Sequence, residues 1–457
     1  MKNLFQSISF LVFTFSLTVN AQTKRWSLED CVFYALEHNI SIQQTELDTQ
    51  TATIDKKQAF GSFLPSFNAA ASHSWNIGLN QDITTGILQN KTTQFTSVSG
   101  TVGIDIYKGL QNQNALRKSN LSIIAAQYQL VKMKEDIALN VANAYLQVLF
   151  NIENLKVQKE QLRIDEQQLM RTQELVKEGT IARGELLDAK ATIASDKQRV
   201  VNAENLLLIS KLSLAQLLQL DDFINFEVIE EDSLKVDNSI LMNTPNAVLD
   251  VAKEQRTELK IAQTNLAIAE KNLVIAKGGF QPTLKGFYNY NTRISYADIA
   301  LRDSNGAIIG VQSAPPFFDQ FNDNKGQSFG AQLNVPIFNG FTVRNNVERS
   351  KVNLEKSKIA LEQQNLDLER NVYTAFTDAK GALQSYESAV EALQARKESF
   401  RYAQEKFEVG LMNSFELSQS QILFSNAQSE VLRTKYDYIF KIKILEFYFG
   451  IPIVKKE

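Results

Sequence analysis

Side chains able to do covalent or metal chemistry are scarce in this chain of 457 residues. It has two histidines, His38 and His73, and one cysteine, Cys31. None has a second imidazole or thiolate nearby in sequence, so a zinc site of nitrogen and sulfur ligands is not expected. No nucleophile–base arrangement or phosphate loop stands out, and Ser, Asp and Glu are scattered over what read as helix surfaces. The expectation is therefore no enzyme and no cofactor. A net charge of −3 gives no basic footprint for nucleic acid. What remains is charge gathered at two glycine turns. Arg183, Glu185 and Asp188 follow Gly179 and Thr180, and Glu416 and Gln419 follow Val409, Gly410 and Leu411. Glycine after a long helix supplies the left-handed residue that stops it. An acid in the first turn of the next helix interacts favourably with the macrodipole, by about 0.3–1 kcal/mol.

The elements that position these turns come in two copies. Glu37, Ile42, Phe63 and Pro65 recur 217 positions on as Glu254, Leu259, Phe280 and Pro282. Gly109, Val141, Ala144, Tyr145, Gly179, Glu185 and Leu186 recur 231 positions on as Gly340, Val372, Ala375, Phe376, Gly410, Glu416 and Leu417. The offset grows by 14 between Trp75 and Val98, so one loop is longer in the second copy. This divides the chain into a signal peptide (1–21), a first repeat (22–220), an inter-repeat segment (221–245) and a second repeat (246–457). The signal reading rests on Lys2, an apolar stretch from Ile8 to Val19, and small residues through Ala21. That stretch is too short for a membrane-spanning helix, which needs about 20 apolar residues.

Each repeat reads as helix, strand, loop, strand, very long helix, tight turn, long helix. None of the seven prolines falls within 112–178, 184–220 or 343–408. An interior proline costs about 3 kcal/mol in a helix, so these spans can run uninterrupted; 112–178 alone would be roughly 100 Å long. Val141, Val148, Leu155, Leu162, Leu169 and Val176 mark a seven-residue apolar spacing, matched by Val372, Ala379, Tyr386, Leu393, Phe400 and Phe407. That period imposes left-handed coiling on packed helices.

The strands, about 66–79, 96–107, 283–293 and 327–337, alternate instead. Phe67, Ala69, Ala71, Trp75, Ile77 and Leu79 share one face, which His73 interrupts, opposite Ser66, Asn68, Ser72, Ser74 and Asn76. Val98, Val102, Ile104 and Ile106 behave likewise, as do Leu284, Tyr288 and Tyr290, with Phe287 an exception, and Phe329, Ala331, Leu333 and Val335. Alternation over about ten residues, with aromatics on the apolar side, fits a transmembrane β-barrel. Open edges are not tolerated in lipid, and four strands cannot close a channel. Copies of the chain must complete the wall; three would give twelve strands, though periodicity does not fix the number.

Trp26-Ser27-Leu28-Glu29-Asp30-Cys31, Glu37-His38-Asn39, Phe63-Leu64-Pro65, Val335-Pro336-Ile337-Phe338-Asn339-Gly340 and Gly410-Leu411 with Phe415-Glu416-Leu417 together resemble the TolC family of outer-membrane efflux proteins. The resemblance covers essentially the whole mature chain. It implies a mainly α fold with transmembrane β structure: a long α-helical barrel, plus four strands per chain in a twelve-stranded barrel shared by a homotrimer. It further implies an outer-membrane exit duct of a tripartite efflux or type I secretion system. A periplasmic adaptor would connect that duct to an inner-membrane pump of RND or ABC type.

By resemblance, Gly179, Thr180, Val409, Gly410 and Leu411 meet the adaptor tip to tip, and Arg183, Glu185, Asp188, Glu416 and Gln419 are gate candidates. The family's second tip carries an arginine where this chain has Met412, and a second acid where it has Gln419. Arg183 is then the cation left to pair with Glu416 or Glu185 when the pore is closed. The first copy also lacks the strand-to-helix proline, having Asp105-Ile106-Tyr107-Lys108-Gly109. The alternative is an exported coiled-coil spacer, which would need neither alternating strands nor the long loops at 80–94 and 294–326. The adaptor itself is disfavoured because it needs no duplicated membrane-facing strands. Cargo is not readable.

Overall fold

The computed structural model describes residues 25–82, 86–220, 226–230 and 238–453. The expected signal peptide and much of the inter-repeat segment lie outside them. The first half runs β1 (Arg25–Trp26), α1 (Leu28–His38), α2 (Ile40–Gly61), β2 (Ser66–Gln81), β3 (Leu88–Lys108), α3 (Gln111–Lys177) and α4 (Arg183–Leu218). After β4 (Glu227–Val228) the second half runs α5 (Pro245–Gln255), α6 (Thr257–Gly278), β5 (Thr283–Ser295), β6 (Ile299–Arg302), β7 (Ile308–Gln312), α7 (Phe317–Asp323), β8 (Gly326–Asn334), α8 (Thr342–Glu408) and α9 (Ser414–Tyr448). The long helices α3 and α8 are 67 residues each, without interruption.

The helix expected first in each repeat is two helices. Backbone at Asn39 is extended (φ −66°, ψ 127°), as it is at Arg256 (φ −63°, ψ 128°), 217 positions on. Asn39 Oδ1 accepts from the Ser41 N–H and its Nδ2 donates to the Leu217 carbonyl, so the side chain replaces helix bonds lost at the break. Pro245, expected ahead of the second copy, is instead the first residue of α5, where its missing N–H costs nothing.

Two compact units emerge, each drawing on both halves. One comprises residues up to Ile42, Lys134–Glu254 and Arg370 onward. Its core contains Cys31, Val141, Tyr145, Val148, Leu214, Leu218, Val248, Val372, Ile442 and Leu445, all essentially inaccessible. Each such aliphatic side chain contributes about 1.5–3 kcal/mol by leaving water. The Tyr145 hydroxyl donates to the Ile229 carbonyl at 2.7 Å, tying α3 to the segment after β4.

The other unit, Gln43–Met133 with Gln255–Glu369, holds an antiparallel sheet in the order β2-β3-β5-β8. Cross-strand register sorts its faces. Phe67, Val102, Tyr288 and Phe329 form one apolar row, and Asn68, Thr101, Asn289 and Ser328 the adjacent polar one. Phe287 breaks the alternation because both of its cross-strand partners, Gly103 and Gly330, are glycine. Its ring covers the bare backbone, within 3.2 Å of where a Gly330 Cβ would stand. Almost all of β2 is exposed on both faces, and Ile77 and Phe329 are more than 80 % accessible in the single chain.

The first hairpin is longer than expected: most of the supposed loop at 80–94 is strand, with β2 running to Gln81 and β3 starting at Leu88. Asn80 Nδ2 lies within reach of the Lys91, Asn76 and Gly78 carbonyls, and Lys91 pairs with Asp82 across the ribbon. The second connection is the enlarged one. It contains the β6–β7 hairpin and α7, whose Gln320 bonds the Ser295 backbone in both directions and whose Phe321 lies against Tyr290. Among the described residues, no helix is long and apolar enough to cross a membrane.

At the base of the sheet two backbones cross in contact. Gly109 sits at φ +58°, and a Cβ there would lie 2.2 Å from the Gly278 carbonyl oxygen; one on Gly278 would lie 2.4 Å from that of Gly109. Gly278→Ala should therefore destabilise the fold by about 1–3 kcal/mol, the usual cost of overpacking, measured as a lower denaturant midpoint for the purified protein.

Candidate functional site

The two glycine turns have one geometry. Gly179 (φ 78°) donates to the Val176 carbonyl at 3.1 Å and Thr180 to that of Leu175 at 3.0 Å. Gly410 (φ 74°) donates to Phe407 at 3.1 Å and Leu411 to Lys406 at 2.8 Å. This paired 5→2 and 6→1 closure ends each 67-residue helix and satisfies its last carbonyls. Beyond the glycine the two turns differ. Asn413 caps α9 through the Glu416 N–H at 2.9 Å, whereas Ala182 gives α4 no side-chain cap. The Thr180 hydroxyl instead adds a second bond to the Leu175 carbonyl.

The tip side chains divide by chemistry. Val409, Leu411 and Phe415 are about 70 % exposed or more, an apolar cluster on the second turn. Met412, in the place the resemblance gives to arginine, packs against a small core of Phe400, Ala403 and Leu417. Arg183, Asp188, Glu416 and Gln419 are exposed and Glu185 is half-buried. Among the described residues, Arg183 makes no ion pair with Glu185 or Glu416 within one chain. Asp188 lies beside the second turn, lining a cavity of about 80 Å³ with Asp165, Thr172, Ser414 and Phe415.

That cavity leads to a polar cluster that apolar spacing did not reveal. Three positions after Val148, Leu155, Leu162 and Leu169 of the α3 seam come Asn151, Gln158, Asp165 and Thr172, of which Asn151, Asp165 and Thr172 are buried. The matching positions of α8 are Ala382, Ala389, Arg396 and Ala403. A polar row at seven-residue spacing was the available signal. Asp165 accepts from Gln161 at 2.8 Å and from Gln421 of α9 at 2.7 Å. Asp196 of α4 is buried beside it, with Arg199 3.2 Å from its Oδ1 and no hydrogen bond to its Oδ2. Burial first, and then the hydrogen bond and charge of Asp165, push the Asp196 carboxyl up to about 7 against the pull of Arg199. Asp196 thus keeps a proton that an exposed carboxyl would release.

The native state binds this proton more tightly than the unfolded chain, whose carboxyl titrates near 3.8. Stability from this pair is therefore complete below about 3.8 and is lost as pH rises toward about 7. Asp196→Asn, which carries the neutral form at every pH, should flatten the fall in melting temperature between pH 5 and pH 8 seen in wild type, read by circular dichroism in detergent.

The other predicted positions carry no chemistry of their own. His38 stacks on Tyr34, and His73 bonds Thr96 at 2.8 Å on the apolar side of the sheet. Cys31 is buried in α1. Among the described residues, no group of three acidic, histidine or cysteine side chains is placed to hold a metal.

An uncovered sheet with one apolar face, joined to 67-residue helices that end in matched turns, is the arrangement of a membrane duct. A family model described as outer membrane efflux protein matches residues 34–219 and 248–443. The chain belongs to this family of outer-membrane efflux channels, and its location is the outer membrane. No curated protein matches the sequence. Among solved structures it is similar to the outer membrane protein VceC of Vibrio cholerae, with a TM-score of 0.73 at 15% identity over 93% of this chain and 96% of that one. The outer membrane channel CmeC of Campylobacter jejuni gives 0.73 at 18% identity, covering 93% and 86%. The MtrE channel of Neisseria gonorrhoeae gives 0.70 at 16% identity, covering 93% and 89%. At such identities the likeness is one of fold: a helical barrel continued by a β-barrel.

Proposed function

We propose that three copies of this chain form the exit duct of a tripartite efflux or type I secretion system. The observation that carries this reading is the sheet: four strands with two free edges and an apolar row on one face that is left exposed among the described residues. Backbone groups at such edges cannot be left in hydrocarbon, so β2 and β8 of neighbouring copies complete the wall. The polar rows, with Asp105, Lys285 and Gln332 in register, then face the water-filled interior. Energy comes from an inner-membrane pump. A coiled-coil spacer would leave the apolar row without a purpose.

The adaptor meets the duct at its tips. Val409, Leu411 and Phe415 offer it an apolar knob beside Gly410, and Glu178-Gly179-Thr180 the matching turn of the first copy. Glu416 and Glu185, repeated by symmetry, ring the narrow end, with Arg183 as the cation that holds them when the pore is closed. Each exposed pair is worth under about 1 kcal/mol, and a symmetric set acts together on one two-state opening. Cargo class is set by the pump.

Purified protein should open ion-conducting pores in planar lipid, with trimers by native mass; a water-soluble monomer without conductance sinks this reading. Arg183→Ala should raise the open fraction, and unchanged opening would remove Arg183 from the gate. Leu411→Asp should abolish cross-linking to the adaptor while leaving trimer and conductance intact.

A further inference from the structure

The repeat maps contacts of one copy onto the other, and it also maps the contact between copies. In the first copy Ser66 opposes Gly103; in the second Thr283 opposes Asn334, the same pair displaced by 217 and 231 positions. Equivalence therefore holds residue for residue through the sheet. Between copies, the second strand of the first repeat, β3, pairs with the first strand of the second repeat, β5. The free edges complete that relation: β8 is the second strand of its repeat and β2 the first strand of its own.

We propose that β8 of one subunit pairs with β2 of the next in the register of β3 on β5, and that Gly340 clasps Gly61 of the partner subunit. This rests on the trimer reading above. Val98 opposite Thr292 becomes Phe329 opposite the partner subunit's Trp75, and Val102 opposite Tyr288 becomes Leu333 opposite the partner subunit's Ala71. Both new pairs fall on the apolar face, so the row continues around the wall. The bulge at Ile106 becomes one at Ile337, just past Pro336, which has no N–H to donate.

Glycine placement supports this seam most strongly. The crossing of Gly109 over Gly278 admits no side chain on either residue. Their counterparts are Gly340 and Gly61. Gly340 repeats the φ of +58°, yet neither counterpart has any atom within 4 Å of its Cβ position in the single chain. Gly61 closes α2 without a left-handed angle, so no local geometry calls for glycine there. A crossing completed by a second subunit does. The neighbouring side chains fit it. Tyr107 donates to Gln281 beside Gly109; the counterparts Phe338 and Leu64 are 76% and 54% exposed. Brought together across the seam, they replace a hydrogen-bonded pair by an apolar one.

Two measurements on the full chain test this. In a Cys31→Ala background, Phe329→Cys with Trp75→Cys should give reductant-sensitive multimers with a short cleavable thiol cross-linker, while Phe329→Cys with Ala71→Cys should give few. Gly61→Ala should keep wild-type helix content by circular dichroism but lower the temperature at which trimers dissociate in SDS. Trimers that cross-link in another register, or Gly61→Ala trimers as heat-resistant as wild type, overturn the seam and leave the duct standing. A wild-type protein that never assembles overturns the trimer reading itself.

Discussion

Unpaired backbone at the two margins of a four-stranded sheet is the constraint on which the rest of the molecule depends. Hydrocarbon offers no hydrogen bonds to an N–H or carbonyl, and each one left bare costs several kcal/mol. The four-stranded sheet has β2 and β8 as its edges, and among the described residues neither strand carries a lysine to blunt it. Soluble proteins treat such edges as hazards to be masked. In the proposed trimer that edge is the assembly instruction.

Duplication supplies that wall economically, but the two copies have not stayed equivalent. The second row of the α3 seam is polar where that of α8 is mostly alanine. Alanine allows close, featureless approach of helices; Asn151, Asp165 and Thr172 instead fix α3 to particular partners. Asn151 reaches the Leu206 carbonyl, and Asp165 is shared between Gln161 and Gln421. Buried polar groups of this kind gain little stability but penalise sliding, because any displaced arrangement strands them without partners. One helical column is therefore held by specific polar partners, where the other packs largely through alanine.

Much of this was legible in the sequence for identifiable reasons. The repeat was visible because glycines and prolines occupy positions with no substitute, such as Gly109 and Gly340, and keep their spacing. Long helices were visible from the absence of proline, and the sheet from alternation at Phe67 to Leu79. Strand ends were not. Beyond Leu79 the paired residues Asn80, Gln81, Gln89, Asn90, Lys91, Thr92 and Thr93 are polar, and the pairing there is supported by Asn80 and the Lys91–Asp82 contact. The breaks at Asn39 and Arg256 were hidden because helical residues continue on both sides. The hairpin and short helix of the second loop have no counterpart in the first copy, so the repeat was silent about them. Asp196 was missed because one acid in a charged helix looks like any other until its neighbours are known.

The tip residues show how a passive protein can still be specific. Arg183, Glu185, Glu416 and the buried Asp165–Asp196 pair differ mainly in solvation. Charges on the exposed turns are screened within about 8 Å at physiological salt, so a single pair there is worth under about 1 kcal/mol. The Asp196 carboxyl needs no repetition, because burial first, and then Asp165 against the pull of Arg199, raises its proton affinity within one chain. It lies among α3, α4 and α9, close to the cavity that Asp188 and Phe415 also line. Gln421 of α9 bonds Asp165 of α3, and Asp165 is one of the groups that raise the Asp196 carboxyl of α4, so the packing of these three helices and the proton on Asp196 depend on the same few side chains.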